Sequence, residues 1–187
     1  MMVALGTPMP TFTLPDADGA IYTSSDLCGS RGTLVIFLCN HCPFVIHIGD
    51  ELGRLGKTFP DRGISIVGIN SNDAEHYPAD APQMMPSFAA THGITFPYLY
   101  DQSQQVARDF DAACTPDYFL YDNKGLLVYR GQLDGSRPGN DIPVTGDDLR
   151  GALDALCQDV PVTQQQHPSM GCNIKWIQTT KCMKGTA

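Results

Sequence analysis

Short continuous apolar runs alternate with amphipathic stretches along most of the chain. TLVIFL (33–38), bounded by Arg31-Gly32, and ISIVGI (64–69) are rich in β-branched residues and short, which predicts buried strands. Between them Val45, Ile48, Leu52, Leu55 and Phe59 recur at steps of three and four, so they share one face of a helix. Pro43 stands at the start of that helix, where a missing N–H costs nothing. His47, Asp50 and Arg54 fall on the opposite, polar face.

The remaining pattern completes the order. Residues 12–14 and 21–22, around Asp18-Gly19, read as a β-hairpin. Residues 80–92 carry Met85, Phe88 and His92 in helical register, with Pro82 and Pro86 obscuring the start. Residues 97–100 form a short strand and 104–110 a short helix. Residues 117–121 and 126–130 flank Asp122-Asn123-Lys124-Gly125, a strong hairpin signal. Thr145 with Asp148 resembles a capping box opening a helix through Leu149, Leu153 and Leu156. The resulting order βα, βα, βα, ββ, α predicts an α/β fold, a mixed central sheet with helices on both faces. After Cys157 the composition changes: Gln164-Gln165-Gln166 reads as a linker. The expected organisation is one domain over 1–160 and a tail over 161–187 packed on or near it.

Composition narrows the function classes. A chain of 187 residues suits one domain with a sizeable core. A net charge of −8 repels phosphate backbones, which sets nucleic acid aside as a partner. No stretch reaches the length of apolar sequence that a membrane helix needs. The N-terminus has neither the basic nor the apolar region of a signal peptide, so the expectation is a soluble cytoplasmic protein. There, seven cysteines mean redox or metal chemistry before structural disulfides.

The chemistry centres on Cys39-Asn40-His41-Cys42, between a predicted strand and a predicted helix. A helix N-terminus presents unpaired N–H groups and partial positive charge, which favours a thiolate. On this reasoning Cys39 should lie below the free thiol value and act as the nucleophile, with Cys42 resolving the mixed disulfide. Asn40 and His41 are the candidate tuning residues. A protonated His41 would stabilise the thiolate further, each pKa unit being about 1.4 kcal/mol, or about 30 mV for a two-electron couple. Thr115-Pro116 precedes a strand and is a candidate cis peptide. It would face the cysteine pair and leave an extended edge to which a substrate backbone can pair.

FLCNHCPFV, CTPDYFLYDNKG, YRGQLDGSRPGNDIPVTGDDLRGALDAL and PSMGCNIKW together resemble the thioredoxin superfamily, specifically its peroxiredoxin-like, AhpC/TSA-related redoxin branch. The resemblance implies a thioredoxin fold, a cis Pro116 and Cys39 as nucleophile. Peroxiredoxins place Pro and Thr or Ser in a P-x-x-x-T-x-x-C pattern before the reactive cysteine. Here those positions are Gly32 and Ile36 before Cys39, or Val35 and Cys39 before Cys42, so neither register matches.

The leading expectation is therefore a thiol–disulfide oxidoreductase. It would act on a protein or low-molecular-weight disulfide and be recycled by a reducing or oxidising partner protein, with no cofactor or resident metal. A thiol peroxidase is one alternative. The other is a metal- or copper-handling protein using Cys39, His41 and Cys42 with Cys114 or a tail residue as soft ligands. Cys114 and Cys172 are possible extra redox thiols. Ile174, Trp176 and Ile177 are expected to dock the tail. Cys28 and Cys182 read as bystanders, Cys157 as a small core residue, and His76, His92 and His167 have no predicted partner.

Overall fold

The computed structural model describes residues 3–178. A five-stranded sheet forms the centre, in the order β5-β4-β3-β7-β8. β3 (Gly32–Phe37) runs parallel to β4 (Ile64–Asn70), which runs parallel to β5 (Tyr98–Tyr100). On its other side β3 pairs antiparallel with β7 (Asp117–Asp122), and β7 with β8 (Leu127–Gly131). The N-terminal hairpin is β1 (Thr13–Pro15) against β2 (Ile21–Thr23). It turns on Asp16, whose carboxylate accepts from the Asp18 and Ala20 N–H groups.

Both faces of the sheet are covered, which is why β3 is buried at every residue. Leu34 and Ile36 of β3, Ile66 of β4 and Leu120 of β7 face one core, closed by Val45, Leu52 and Leu55 and by Leu149 and Leu153. Val35, Phe37, Val67, Ile69 and Phe119 face the other, closed by Phe12, Phe110 and Ile174. The period of two along each strand thus sorts alternate residues into two separate cores.

Three helical expectations change in detail. The predicted helix after the cysteine motif is divided into α1 (Pro43–His47) and α2 (Gly49–Thr58). Ile48 leaves helical geometry at φ −103°, ψ 5°, and a Cβ on Gly49 would overlap the His92 ring packed there. His47, expected on the exposed face, is half-buried and its Nε2 lies 2.6 Å from Ser136 Oγ. Residues 80–84 are not part of the next helix. Pro78 and Pro82 each open a short 3₁₀ turn, and α3 spans Met85–His92. This takes Asp80 out of a helix and turns it inward, fully buried. After α4 (Gln105–Asp109), the last helix, α5, spans Asp147–Cys157 and is capped by Gly146 at φ 74° without a side-chain cap. The expected capping box at Thr145 is absent because Asp134 takes the Thr145 and Gly146 N–H groups, at 2.8 and 2.6 Å.

Two short strands were not evident in the hydropathy pattern. β6 (Cys114–Thr115) and β9 (Cys172–Asn173) pair antiparallel, attaching the tail beside the Thr115-Pro116 peptide, which is cis. The Gln164-Gln165-Gln166 stretch is not a free linker: Gln166 bonds the Arg130 N–H and the Val128 carbonyl, both at 2.9 Å. Ile174 is buried, whereas Ile177 stays exposed. Cys182 lies outside the described residues.

The second core depends on aromatic packing. The Phe119 ring meets Phe37 and Phe110 edge-on, at centroid distances of 5.8 and 5.5 Å. Phe119→Ala is expected to lower stability by about 3–5 kcal/mol in urea unfolding, from lost burial and the cavity left behind. A change below about 1 kcal/mol would contradict this packing.

Candidate active site

β3 ends at Phe37, opposite Asp117, the first residue of β7. Continuing each chain by two residues brings Cys39 and Thr115 together beyond the C-terminal end of the central strand β3. Cys39 Sγ lies 3.1 Å from Thr115 Oγ1. Cys42 is the N-cap residue of α1, and its thiol donates to the Thr115 carbonyl at 3.3 Å. Both cysteines are free and fully buried.

The turn between them is held from below by Asp80. Its Oδ1 accepts from the Asn40 and His41 N–H groups at 2.7 and 3.3 Å, and its Oδ2 from the Asn72 amide at 2.8 Å. His41 Nδ1 lies 2.6 Å from Oδ2. A buried carboxylate is costly unless hydrogen-bonded, and the Asn40 and His41 backbone N–H groups with the Asn72 amide meet that requirement, while the nearby His41 ring nitrogen makes no aligned hydrogen bond. Asn40 adds its own ties, donating to the Ala79 carbonyl at 3.0 Å and accepting from the Tyr98 hydroxyl at 3.0 Å. Sequence reasoning missed Asp80 because the residue lies far along the chain from the motif it supports. Its only signal was an acidic residue between Pro78 and Pro82.

The electrostatics reverse one expectation. Cys42, not Cys39, has the lowered pKa. As a thiolate it gives up the bond to the Thr115 carbonyl. It then accepts hydrogen bonds from the Cys39 thiol, from the Cys172 thiol and from the Val45 and Cys172 N–H groups, which together outweigh burial and hold it at about 4. Cys39 is pushed well above the ordinary thiol value by its bond to Cys42, by burial and by the Asp80 charge, against a smaller opposing effect of the Thr115 hydroxyl. Position sets these partners: Cys42, the N-cap of α1, faces Cys172, while Cys39, two residues past the end of β3, stands beside Asp80. The His41 ring turns to Asp80 and stacks on Tyr77 at 5.6 Å and 10°, and the Asn40 and His41 N–H groups hold Asp80, whose charge raises Cys39.

The two extra thiols part company. Cys114 directs its Sγ to the Pro116 carbonyl at 3.6 Å, and burial first, then Asp117, pushes it up to about 12. It lies in a cleft with Asp111, Asp117 and Arg130, away from the pair. Cys172 is half-buried opposite Thr115 and packs against the core cluster that contains Cys39 and Cys42. The edge beside Thr115, expected to be open to a substrate backbone, is occupied by this tail strand. Beyond Pro116 a second cleft is lined by Phe44, His47, Tyr118, Ser136 and Met170.

Among the described residues one cluster has metal-binding composition: donor atoms of Cys39, His41 and Asp80 lie within 4.8 Å of one another. Both Asp80 oxygens already accept hydrogen bonds, so a metal would have to displace those donors. Cys114, expected as a further ligand, is not part of the cluster.

Comparison with known proteins agrees with this geometry. The chain is similar over nearly its whole length to two solved structures. One is an uncharacterized conserved protein from Geobacillus kaustophilus, at 49% identity and TM-score 0.93, covering 96% of this chain and 95% of that one. The other is a hypothetical protein, SMc02350, from Sinorhizobium meliloti 1021, at 44% identity and TM-score 0.93, covering 96% and 98%. Among curated proteins it is similar to the thiol-disulfide oxidoreductase ResA of Geobacillus thermodenitrificans, 26% identical over 67% of each chain. The thioredoxin domain of an oxidoreductase from Bacteroides vulgatus shares the fold at 19% identity and TM-score 0.57, covering 68% of this chain and 88% of that one. The fold is therefore the thioredoxin fold, and with the AhpC/TSA family model matching residues 5–130, the chain belongs to the AhpC/TSA family of redoxins.

Proposed function

We propose that the protein is a thiol–disulfide oxidoreductase whose reaction is carried by Cys39 and Cys42. The observation behind this reading is the pair of buried free thiols beside the end of β3, both hydrogen-bonded to Thr115. In the reduced pair the charge rests on Cys42 and the proton on Cys39. As Cys39 attacks a sulfur of the partner disulfide, its proton passes to Cys42, and the partner's other sulfur leaves as a thiolate. Cys42 gives that proton to the departing thiolate and attacks Cys39 in the mixed disulfide. The Cys39–Cys42 disulfide closes, the second partner sulfur leaves as a thiolate that takes a proton from solvent, and the partner departs with two thiols and two more electrons. A low value on Cys42 suits the resolving step, and run in reverse it suits the leaving group. The substrate class is a protein or low-molecular-weight disulfide, and a redox partner protein restores the pair.

Peroxidase chemistry is the other reading that family membership brings. The positions that would carry the Pro and Thr of the peroxidatic pattern are Gly32 and Ile36 before Cys39, and Val35 and Cys39 before Cys42. Neither register supplies that Pro and Thr, so disulfide exchange is the better match.

Two measurements test the oxidoreductase reading. Cys42→Ser is expected to accumulate a mixed disulfide with insulin, while Cys39→Ser abolishes both trapping and insulin reduction. Trapping by Cys39→Ser alone would move the attack to Cys42. Because Cys42 is lowered to about 4, the thiolate is expected to be present at neutral pH and lost only as the pH falls through that value. Ultraviolet thiolate absorbance of the reduced protein, compared with Cys42→Ser, reads this directly. A midpoint near that of a free thiol would contradict it.

A further inference from the structure

The oxidoreductase reaction leaves β9 unused, although the strand touches the reacting sulfurs. In the β6–β9 ribbon Thr115 stands opposite Cys172, and Cys114 opposite Asn173. Directly opposed residues of an antiparallel pair project from the same face, and successive residues alternate. Thr115 points its hydroxyl at Cys39, so Cys172 projects to the active pair and Cys114 away from it. The packing agrees: Cys172 lies against the core cluster that contains Cys39 and Cys42, while the Cys114 thiol donates to the Pro116 carbonyl at 3.6 Å.

The thiol is held in place on both sides. Gly171 lies so close to the Thr115-Pro116 peptide that a Cβ there would overlap the Thr115 carbonyl oxygen. Before it, Ser169 Oγ donates to the Gly131 carbonyl at 2.7 Å. After it, Ile174 is buried in the second core. The Lys175 N–H then bonds Asn72 Oδ1 at 2.8 Å, and the Lys175 carbonyl accepts from the Asp73 N–H at 2.9 Å. The Arg108 guanidinium covers the Trp176 ring at 4.4 Å. An extended strand paired beside Pro116, presenting a cysteine to Cys42, has the form that a bound disulfide substrate would take.

We infer that Cys172 is a third thiol of the redox cycle, a tethered internal substrate that exchanges disulfides with Cys42. The inference rests on the reading of Cys39 and Cys42 as a redox pair. Once that pair is oxidised, Cys42 no longer carries the charge that, after burial, holds Cys172 up at about 11. The Cys172 thiolate attacks the Cys42 sulfur. The Cys42–Cys172 bond forms, the Cys39–Cys42 bond breaks, and Cys39 leaves as a thiolate that takes up the proton Cys172 released. No electrons enter or leave the chain. Cys39 is thereby a free thiol again while the protein remains oxidised.

The test is disulfide mapping of the full chain, oxidised with one equivalent of diamide, quenched in acid, alkylated and digested. The expected result is a Cys42–Cys172 linkage beside Cys39–Cys42 in the wild type. It becomes the only linkage of Cys42 in Cys39→Ser and is lost in Gly171→Ala, where both thiols remain but β9 cannot seat. Cys39–Cys42 alone in the wild type, with Cys42 free or joined to another cysteine in Cys39→Ser, would overturn the inference and leave the oxidoreductase reading standing. No Cys39–Cys42 linkage in either the wild type or Cys172→Ser would instead overturn that parent reading.

Discussion

Thr115 offers its hydroxyl to Cys39 and its carbonyl to Cys42, while its backbone pairs with Cys172. Three sulfurs are thus ordered around one residue whose own place is set by the sheet. The β3–β7 register, with Phe37 opposite Asp117, leaves Cys39 and Thr115 each two residues past the paired strands and facing one another. That register is itself held by alternation: a slip of one residue would exchange the two cores, moving Phe119 and Phe37 out of the aromatic cluster. The chemistry beyond the end of β3 therefore depends on packing deep inside the sheet.

The second constraint is electrostatic. The site holds a buried carboxylate and a lowered thiol side by side, two negative charges in poorly solvated surroundings. Asp80 is satisfied by the Asn40 and His41 N–H groups of the turn, which gives that turn its shape, and by the Asn72 amide from the loop after β4. The same charge helps keep the proton on Cys39. The division of labour between the two cysteines follows from which of them faces Cys172 and which stands beside Asp80.

Much of the fold was legible in the sequence because both faces of the sheet are covered. Burial on two sides leaves uninterrupted apolar runs at 33–38 and 64–69, and the hairpin at Asp122 announces itself by its turn residues. The break at Ile48 was hidden because the apolar spacing runs unchanged across it, and Gly49 shows its purpose only against the His92 ring. The Cys39 and Cys42 pair and Thr115-Pro116 were readable as local motifs. The lowered value on Cys42 was not, since it depends on donors from Cys172 and on which residue caps α1. Nor were Asp80 and β9. One is a single acidic side chain, and the other a two-residue strand paired with a segment far back in the chain, with no periodicity to betray it. Cys114 and Cys172 were equivalent candidates until the register sent them to opposite faces.

The central claim is that Cys39 and Cys42 form one coupled redox centre organised by Thr115. It is tested most directly by equilibrating Cys172→Ser, in which exchange with the tail is removed, in glutathione buffers of graded ratio and following both thiols by alkylation and mass spectrometry. The account predicts a single two-electron transition in which Cys39 and Cys42 are lost together as their disulfide forms. Independent titration of the two, or a stable glutathione adduct on Cys39 with Cys42 still free, would contradict it.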